Sequence, residues 1–216
     1  KRTGREKMFK NLTLLTDLYQ LTMMDGYLKN GKEKDIAVFD LFFRRNNIIT
    51  YSVAAGLEQA LDYILGIRFE EEDIAYLRSL GLFDERFLSY LKDFRFTGDV
   101  YAVPEGTVVF PEEPILTVRA PLLEAQFLET ALLNIVNHQT LIASKSAKVT
   151  YAAKGDSVME FGLRRAQGPD ERIRGVLRLR EDVSRRLSPP GRHLRHPAQR
   201  RAQRHPRLPR TARGGA

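Results

Sequence analysis

The chain has 216 residues, enough for one or two domains, and it contains no cysteine, which excludes disulfide bonds and thiolate metal sites. Its net charge of +8 is unevenly distributed, because residues 171–216 hold 14 of the 35 Lys and Arg residues but only 3 of the 27 Asp and Glu residues. The first 170 residues hold 21 basic and 24 acidic side chains, so their charge does not predict a nucleic-acid partner. They contain no apolar run near the roughly 18 residues of a membrane span, so no membrane partner is predicted either. We expect a cytoplasmic protein.

The chain begins with a predicted helix and a predicted strand. The helix starts at Thr16 or Asp17 and ends near Lys29, and Tyr19, Met23 and Tyr27 form its apolar stripe. The β-rich run over residues 36–43 follows and predicts a strand that is buried on most of both faces.

Three amphipathic helices come next, over residues 56–65, 70–80 and 84–94. The first of these is predicted to place Leu57, Leu61, Ile64 and Leu65 on one stripe. Asp84 is of the residue type that caps a helix N-terminus, and it is the predicted cap of the third helix.

The pattern then changes to short strands, over residues 98–103, 107–110 and 115–118, separated by turns rich in Pro, Glu and Gly. Pro121 suits the first position of a helical segment that reaches about Ala153, and its length of over thirty residues indicates two helices or one with a bend. A last strand is predicted over Val158–Phe161. This order predicts an α/β protein, an α+β domain leading into a β/α unit.

Residues 171–216 differ in composition from everything before them. They contain no Phe, Tyr or Trp, half of the ten prolines, and 14 Arg without a single Lys, so we expect disorder. One interpretation is a basic arm that binds RNA or another polyanion. The other is out-of-frame translation of a GC-rich gene, which is favoured because selection for positive charge gives no reason to exclude lysine. At the other end, Met8 is the expected natural start.

Few residues of the first 170 suggest chemistry by themselves. Asp17 and Tyr19 predict either a site or simply a helix cap and a core tyrosine. His138, on an apolar-flanked helix, is more consistent with a structural role than with catalysis. Arg164 and Arg165 follow a predicted strand, where paired guanidiniums suit a carboxylate or a phosphate, although a solvated surface pair fits equally. We find no Gly-rich phosphate loop and no metal-ligand motif.

Four strings of residues resemble the nicotinate phosphoribosyltransferases, which are type II phosphoribosyltransferases. They are TDLYQLTM over 16–23, FTGDVYAVPEG over 96–106, LEAQFLET over 123–130 and EFGLRRAQGPD over 160–170. The resemblance extends over residues 12–170 and stops abruptly after Asp170. It implies an N-terminal extension over 1–11, an N-terminal α/β domain over 12–155, the start of an incomplete irregular β/α barrel over 156–170, and an unrelated tail over 171–216.

The resemblance also implies an activity and a set of site residues. Members of this family join nicotinate to 5-phosphoribosyl 1-diphosphate and release diphosphate, as homodimers, with ATP hydrolysis coupled through a phosphorylated histidine and Mg²⁺ accompanying the diphosphate. By this resemblance Tyr19 and Phe161 stack on the pyridine ring, and Arg164 binds the nicotinate carboxylate or the ribosyl phosphate. Asp17 and Arg165 are further matches within the same strings.

The phosphorylated histidine and the diphosphate-binding residues of the family would follow Asp170, and the sequence after that residue does not match them. We therefore expect a chain that is catalytically inactive as written. Two alternatives stay open: a non-catalytic fragment whose basic tail binds nucleic acid or an acidic partner, and a relative that uses nicotinamide or quinolinate.

Overall fold

The computed structural model describes residues 11–45, 47–154, 156–159 and 164. The elements follow one another in the order α1, β1, β2, α2, α3, α4, β3, β4, β5, α5. The helices are α1 Leu18–Lys29, α2 Leu57–Gly66, α3 Glu71–Ser79, α4 Glu85–Lys92 and α5 Leu122–Ala152. The strands are β1 Ile36–Leu41, β2 Ser52–Val53, β3 Asp99–Ala102, β4 Val108–Val109 and β5 Leu116–Pro121.

An antiparallel sheet of β1, β5 and β3, in that order, packs one face against α5. On that face Val118 of β5 lies opposite Phe39 of β1 and Val100 of β3. The prediction that β1 is buried on most of both faces is wrong. Ile36 and Val38 are 54% and 60% exposed because β1 is an edge strand and, within the described residues, only one face of the sheet is covered.

Helix α5 is the central element of the core. It is a single uninterrupted helix of 31 residues rather than two helices, and Pro121 is its N-cap rather than its first residue. The segment contains neither Gly nor Pro, and α1, α2, β2 and the sheet all pack against it, so nothing in it interrupts the backbone hydrogen bonds. At its buried end, the Phe127 ring lies 5.3 Å from both the Phe69 and the Phe94 ring centroids.

The apolar stripe predicted for α1 misses most of the buried face, whereas the stripe predicted for α2 overlaps it. In α1 the buried residues are Gln20, Leu21, Met24, Asp25 and Leu28; Tyr27 packs against the core, but Tyr19 is 47% and Met23 38% exposed. In α2 Ile64 is buried as predicted, and Leu57 packs partly buried against the core, although Leu65 is 74% exposed. Hydrophobicity alone therefore locates both helices but gives the contact face of only the second.

The predictions for the helix cap and the short strands agree with the structure in part. Asp84 caps α4 as expected, because the backbone N–H of Phe87 donates to its Oδ1 at 2.9 Å. Strand β2, which pairs with β4, was not predicted. Val158 and Met159 form no strand, and Phe161 lies outside the described residues, as does the tail over 171–216.

Candidate functional site

The N-terminal end of α1 meets the second turn of α5 and brings together a group of polar side chains. Asp17 occupies the N-cap position of α1, but its carboxylate makes no capping hydrogen bond. Instead Oδ2 of Asp17 accepts a hydrogen bond from the hydroxyl of Thr130 at 2.9 Å. The interpretation of Asp17 as a simple helix cap is therefore wrong, and its side chain faces α5.

Tyr19 is the second residue of α1 and is 47% exposed, so it is not a core tyrosine in this domain. Its phenol oxygen accepts a hydrogen bond from Nε2 of Gln20 at 2.8 Å. The pKa of Tyr19 is raised, first by partial removal of the phenol from water and then by the nearby negative charges of Glu129 and Asp17. The phenol is thus held in its neutral, protonated form.

Beneath this exposed ring lies a buried pair of amides. The side chains of Gln20 and Gln126 are 0% and 5% exposed, and Nε2 of Gln126 donates to Oε1 of Gln20. Nε2 of Gln20 also donates to Oε2 of Glu129 at 2.8 Å. Because buried amides are costly unless they are hydrogen-bonded, this network fixes the relative position of α1 and α5.

Of the residues predicted for the site besides Asp17 and Tyr19, the structure describes only Arg164. Arg164 is exposed, and Phe161 and Arg165 lie outside the described residues. His138 is half-buried on α5. Across the described part of the chain no group of three or more His, Cys, Asp or Glu side chains is placed to hold a metal ion. Nor is any helix among the described residues long and apolar enough to cross a membrane.

Sequence reasoning identified Asp17 and Tyr19 but missed their partners on α5. Gln126, Glu129 and Thr130 are within the string LEAQFLET, which was noted only for its resemblance. Their spacing of three and four residues places them on one side of a helix, and a polar side in an otherwise apolar segment is a signal that could have singled them out.

Comparison with known proteins agrees with this architecture. Residues 14–137 match the family model described as the nicotinate phosphoribosyltransferase N-terminal domain. A nicotinate phosphoribosyltransferase of Mycobacterium tuberculosis is 47% identical over 158 residues, which are 73% of this chain and 34% of the relative. That of Bacillus subtilis is 45% identical over 167 residues, 77% of this chain and 34% of the relative. The chain thus spans about a third of the length of these relatives.

Solved structures show the same relationship. The crystal structure of human nicotinic acid phosphoribosyltransferase superimposes with a TM-score of 0.66 and 40% sequence identity, over 72% of this chain and 32% of the human one. A nicotinate-nucleotide pyrophosphorylase from Pyrococcus furiosus, at 22% identity and a TM-score of 0.56, shares the fold over 78% of this chain and 36% of its own. The resemblance noted in the sequence is therefore confirmed: the chain belongs to the nicotinate phosphoribosyltransferase family, which it matches through that family's N-terminal domain.

Proposed function

We propose that this chain provides the N-terminal domain of an enzyme that joins nicotinate to 5-phosphoribosyl 1-diphosphate, forming nicotinate mononucleotide and diphosphate for NAD biosynthesis. The relatives named nicotinate phosphoribosyltransferases support this assignment. The observation that carries it is Tyr19, an aromatic residue that is about half exposed at the N-terminal end of α1 and whose hydroxyl accepts a hydrogen bond from the buried Gln20 amide.

An exposed, fixed aromatic ring suits the pyridine ring of nicotinate. Offset stacking of two aromatic rings contributes about 0.5–1.5 kcal/mol beyond the burial of their area. Fixing the ring before the substrate arrives reduces the conformational entropy that binding would otherwise cost. Tyr19 is accordingly the proposed stacking residue on one face of the pyridine ring, and Phe161 is the proposed partner on the other face.

The described site is acidic, since Asp17 and Glu129 flank the Tyr19 phenol. Nicotinate and the ribosyl phosphate are anions, so their binding needs cations that this end of α1 does not provide. Arg164 is the proposed partner of the carboxylate or the phosphate, with Arg165 next to it, because a guanidinium binds either anion through two parallel hydrogen bonds. Catalysis would rest on orientation and electrostatic stabilisation around the departing diphosphate.

The remaining components of the proposed reaction lie outside the described residues. They are the histidine that couples ATP hydrolysis, the residues around the diphosphate and its Mg²⁺, and a second subunit. We expect the 216-residue chain alone to form no nicotinate mononucleotide from nicotinate, 5-phosphoribosyl 1-diphosphate and ATP, because it matches only a third of the length of its relatives. Turnover of the purified chain above a protein-free reaction would contradict this expectation.

A test of the function needs an extended enzyme, defined as residues 1–170 followed by a C-terminal part. That part is taken from another reading frame after codon 170 if the gene contains a matching one, and otherwise from the Bacillus subtilis relative. Sequencing the gene around codon 170 decides between these sources. It also decides the origin of residues 171–216, because a matching alternative frame would identify them as out-of-frame translation.

In the extended enzyme, Tyr19→Ala is expected to raise the KM for nicotinate by more than about tenfold, because the variant loses the stacking, about 0.5–1.5 kcal/mol, and also the burial of the ring's apolar area, about 25 cal/mol per Å². Tyr76→Ala is the matched control, because Tyr76 is a helical tyrosine that is 56% exposed on α3. The control should leave KM unchanged. If the two variants have the same KM as the parent enzyme, Tyr19 does not bind the substrate.

A further inference from the structure

The side chain of Gln20 connects the exposed ring of Tyr19 to the interior. It is completely buried, and both of its polar atoms are used. Nε2 donates to the Tyr19 hydroxyl and to Oε2 of Glu129, each at 2.8 Å, while Oε1 accepts from Gln126. Because the nitrogen of this amide donates two hydrogen bonds and its oxygen accepts one, the amide can adopt only one orientation. The position of its two N–H groups is therefore fixed by the core rather than by solvent.

The phenol of Tyr19 is consequently held at its oxygen. This oxygen accepts the hydrogen bond from Nε2 of Gln20 at 2.8 Å, and the same nitrogen donates to the carboxylate of Glu129, which is close enough to raise the pKa of the phenol. A tyrosine ring has only two side-chain torsions, and a directional bond at the far end of the ring restrains both of them. The exposed ring therefore has a defined plane although solvent covers about half of it.

We propose that Gln20 and Glu129 are positioning residues of the nicotinate site, which hold the Tyr19 ring in the orientation that stacks on the pyridine ring of the substrate. This inference rests on the proposed function of Tyr19 as the stacking residue. Gln20 acts through its bond to the Tyr19 hydroxyl, and Glu129 acts through its bond to the Gln20 amide, so neither needs to touch the substrate. Loss of either bond leaves the ring present but free to rotate, so ordering it costs free energy at each binding event.

A purely structural role predicts something different. If the network served only to join α1 to α5, the bonds of Gln20 to Gln126 and Glu129 would suffice, and the Tyr19 hydroxyl would be dispensable. Tyr19→Phe, which keeps the ring and removes the hydroxyl, separates the two roles. Glu129 is the second position to change. It is exposed, but it also accepts from the buried Gln20 amide, so urea unfolding of each variant accompanies the kinetics to separate a loss of stability from a loss of affinity.

The experiment is a double-mutant cycle in the extended enzyme. Tyr19→Phe and Glu129→Leu should each raise the KM for nicotinate by about tenfold, less than Tyr19→Ala does, with little change in kcat, as expected for the loss of one hydrogen bond of the network that holds the ring. The double variant should also be about tenfold worse, not about a hundredfold, because both changes remove the same restraint. Glu129→Gln keeps an acceptor oxygen and should restore most of the affinity.

Glu72→Leu, at an exposed glutamate on α3, is the control and should leave KM unchanged. The proposed function and the positioning role fail in different ways. If Tyr19→Ala has no effect on KM, the proposed function of Tyr19 is wrong. If Tyr19→Ala raises KM while Tyr19→Phe and Glu129→Leu do not, Tyr19 binds the substrate but Gln20 and Glu129 do not position it. Independent effects that multiply in the double variant would also overturn the inference.

A second measurement on the 216-residue chain requires no activity. In ¹³C NMR of the tyrosine-labelled protein at neutral pH, Tyr19→Phe identifies the ring carbon that carries the Tyr19 hydroxyl. Glu129→Leu should shift this resonance, because the Gln20 amide that bonds the phenol loses its own acceptor and the nearby carboxylate charge is removed, and Glu72→Leu should not. An unchanged Tyr19 resonance in Glu129→Leu would show that Glu129 does not act on the phenol, and the inference would be wrong.

Discussion

Gly98 directly precedes strand β3 and lies against Arg119 and Ala120 of β5. Adding one methyl group to Gly98 should destabilise the sheet. A Cβ at this position would lie 2.3 Å from Cβ of Ala120, 2.6 Å from the carbonyl oxygen of Arg119 and 2.8 Å from Cα of Ala120. These neighbours are backbone atoms and a methyl group that cannot rotate away, so β3 must move off β5. Overpacking of this kind costs about 1–3 kcal/mol. At about 2–4 °C per kcal/mol, Gly98→Ala should lower the Tm by about 2–12 °C.

The assay is thermal and urea unfolding followed by circular dichroism, with Gly26→Ala as the matched control. Gly26 lies inside α1 and nothing is within 4 Å of the added methyl group. Alanine is preferred to glycine within a helix by about 0.5–1 kcal/mol, so this control should be as stable as the parent or more stable. If Gly98→Ala is as stable as Gly26→Ala, the close approach of β3 to β5 is not as described.

Three other predictions concern the core, a helix cap and the proposed site. Phe127→Ala removes a fully buried ring between two others and should cost about 3–5 kcal/mol, whereas Tyr19→Ala, at a half-exposed ring, should cost about 1 kcal/mol or less; urea unfolding distinguishes them. Asp84→Ala should lower the Tm at pH 7, because the N–H of Phe87 and then Lys29 hold the pKa of Asp84 below its ordinary value. A lowered pKa stabilises the folded state above the ordinary carboxyl pKa. The difference in Tm between the parent protein and Asp84→Ala should therefore disappear as the pH falls through the lowered pKa. In the extended enzyme Arg164→Lys should reduce kcat/KM by about one to two orders of magnitude, the equivalent of about 1.5–3 kcal/mol, and Arg165→Lys should reduce it less; equal, near-parental values would remove Arg164 from the site.

Local sequence was sufficient for the order of the five helices, except that the last was expected to be divided or bent, and for the family. The helices α1 to α4 were predicted at their positions to within two residues at each end, because caps, turns and apolar spacing are local properties. The cap at Asp84 is an interaction with a residue three positions away, and the sequence contains all of its information. The strings of residues that identified the family are likewise contiguous, and the family model and the relatives confirmed them.

Only the tertiary structure decided which faces are buried and which residues surround Tyr19. The apolar run of β1 has the same composition whether one or both of its faces are covered, and Ile36 and Val38 are exposed because, within the described residues, only the opposite face of the sheet packs against α5. The sequence is compatible with Tyr19 as a core residue or as a site residue. In the structure α1 packs against α5 through Gln20, and the Tyr19 ring therefore faces outward. Gln20 and Gln126 are 106 residues apart in the chain. No local pattern joins them, because the burial of one amide is favourable only when the fold brings the other to it.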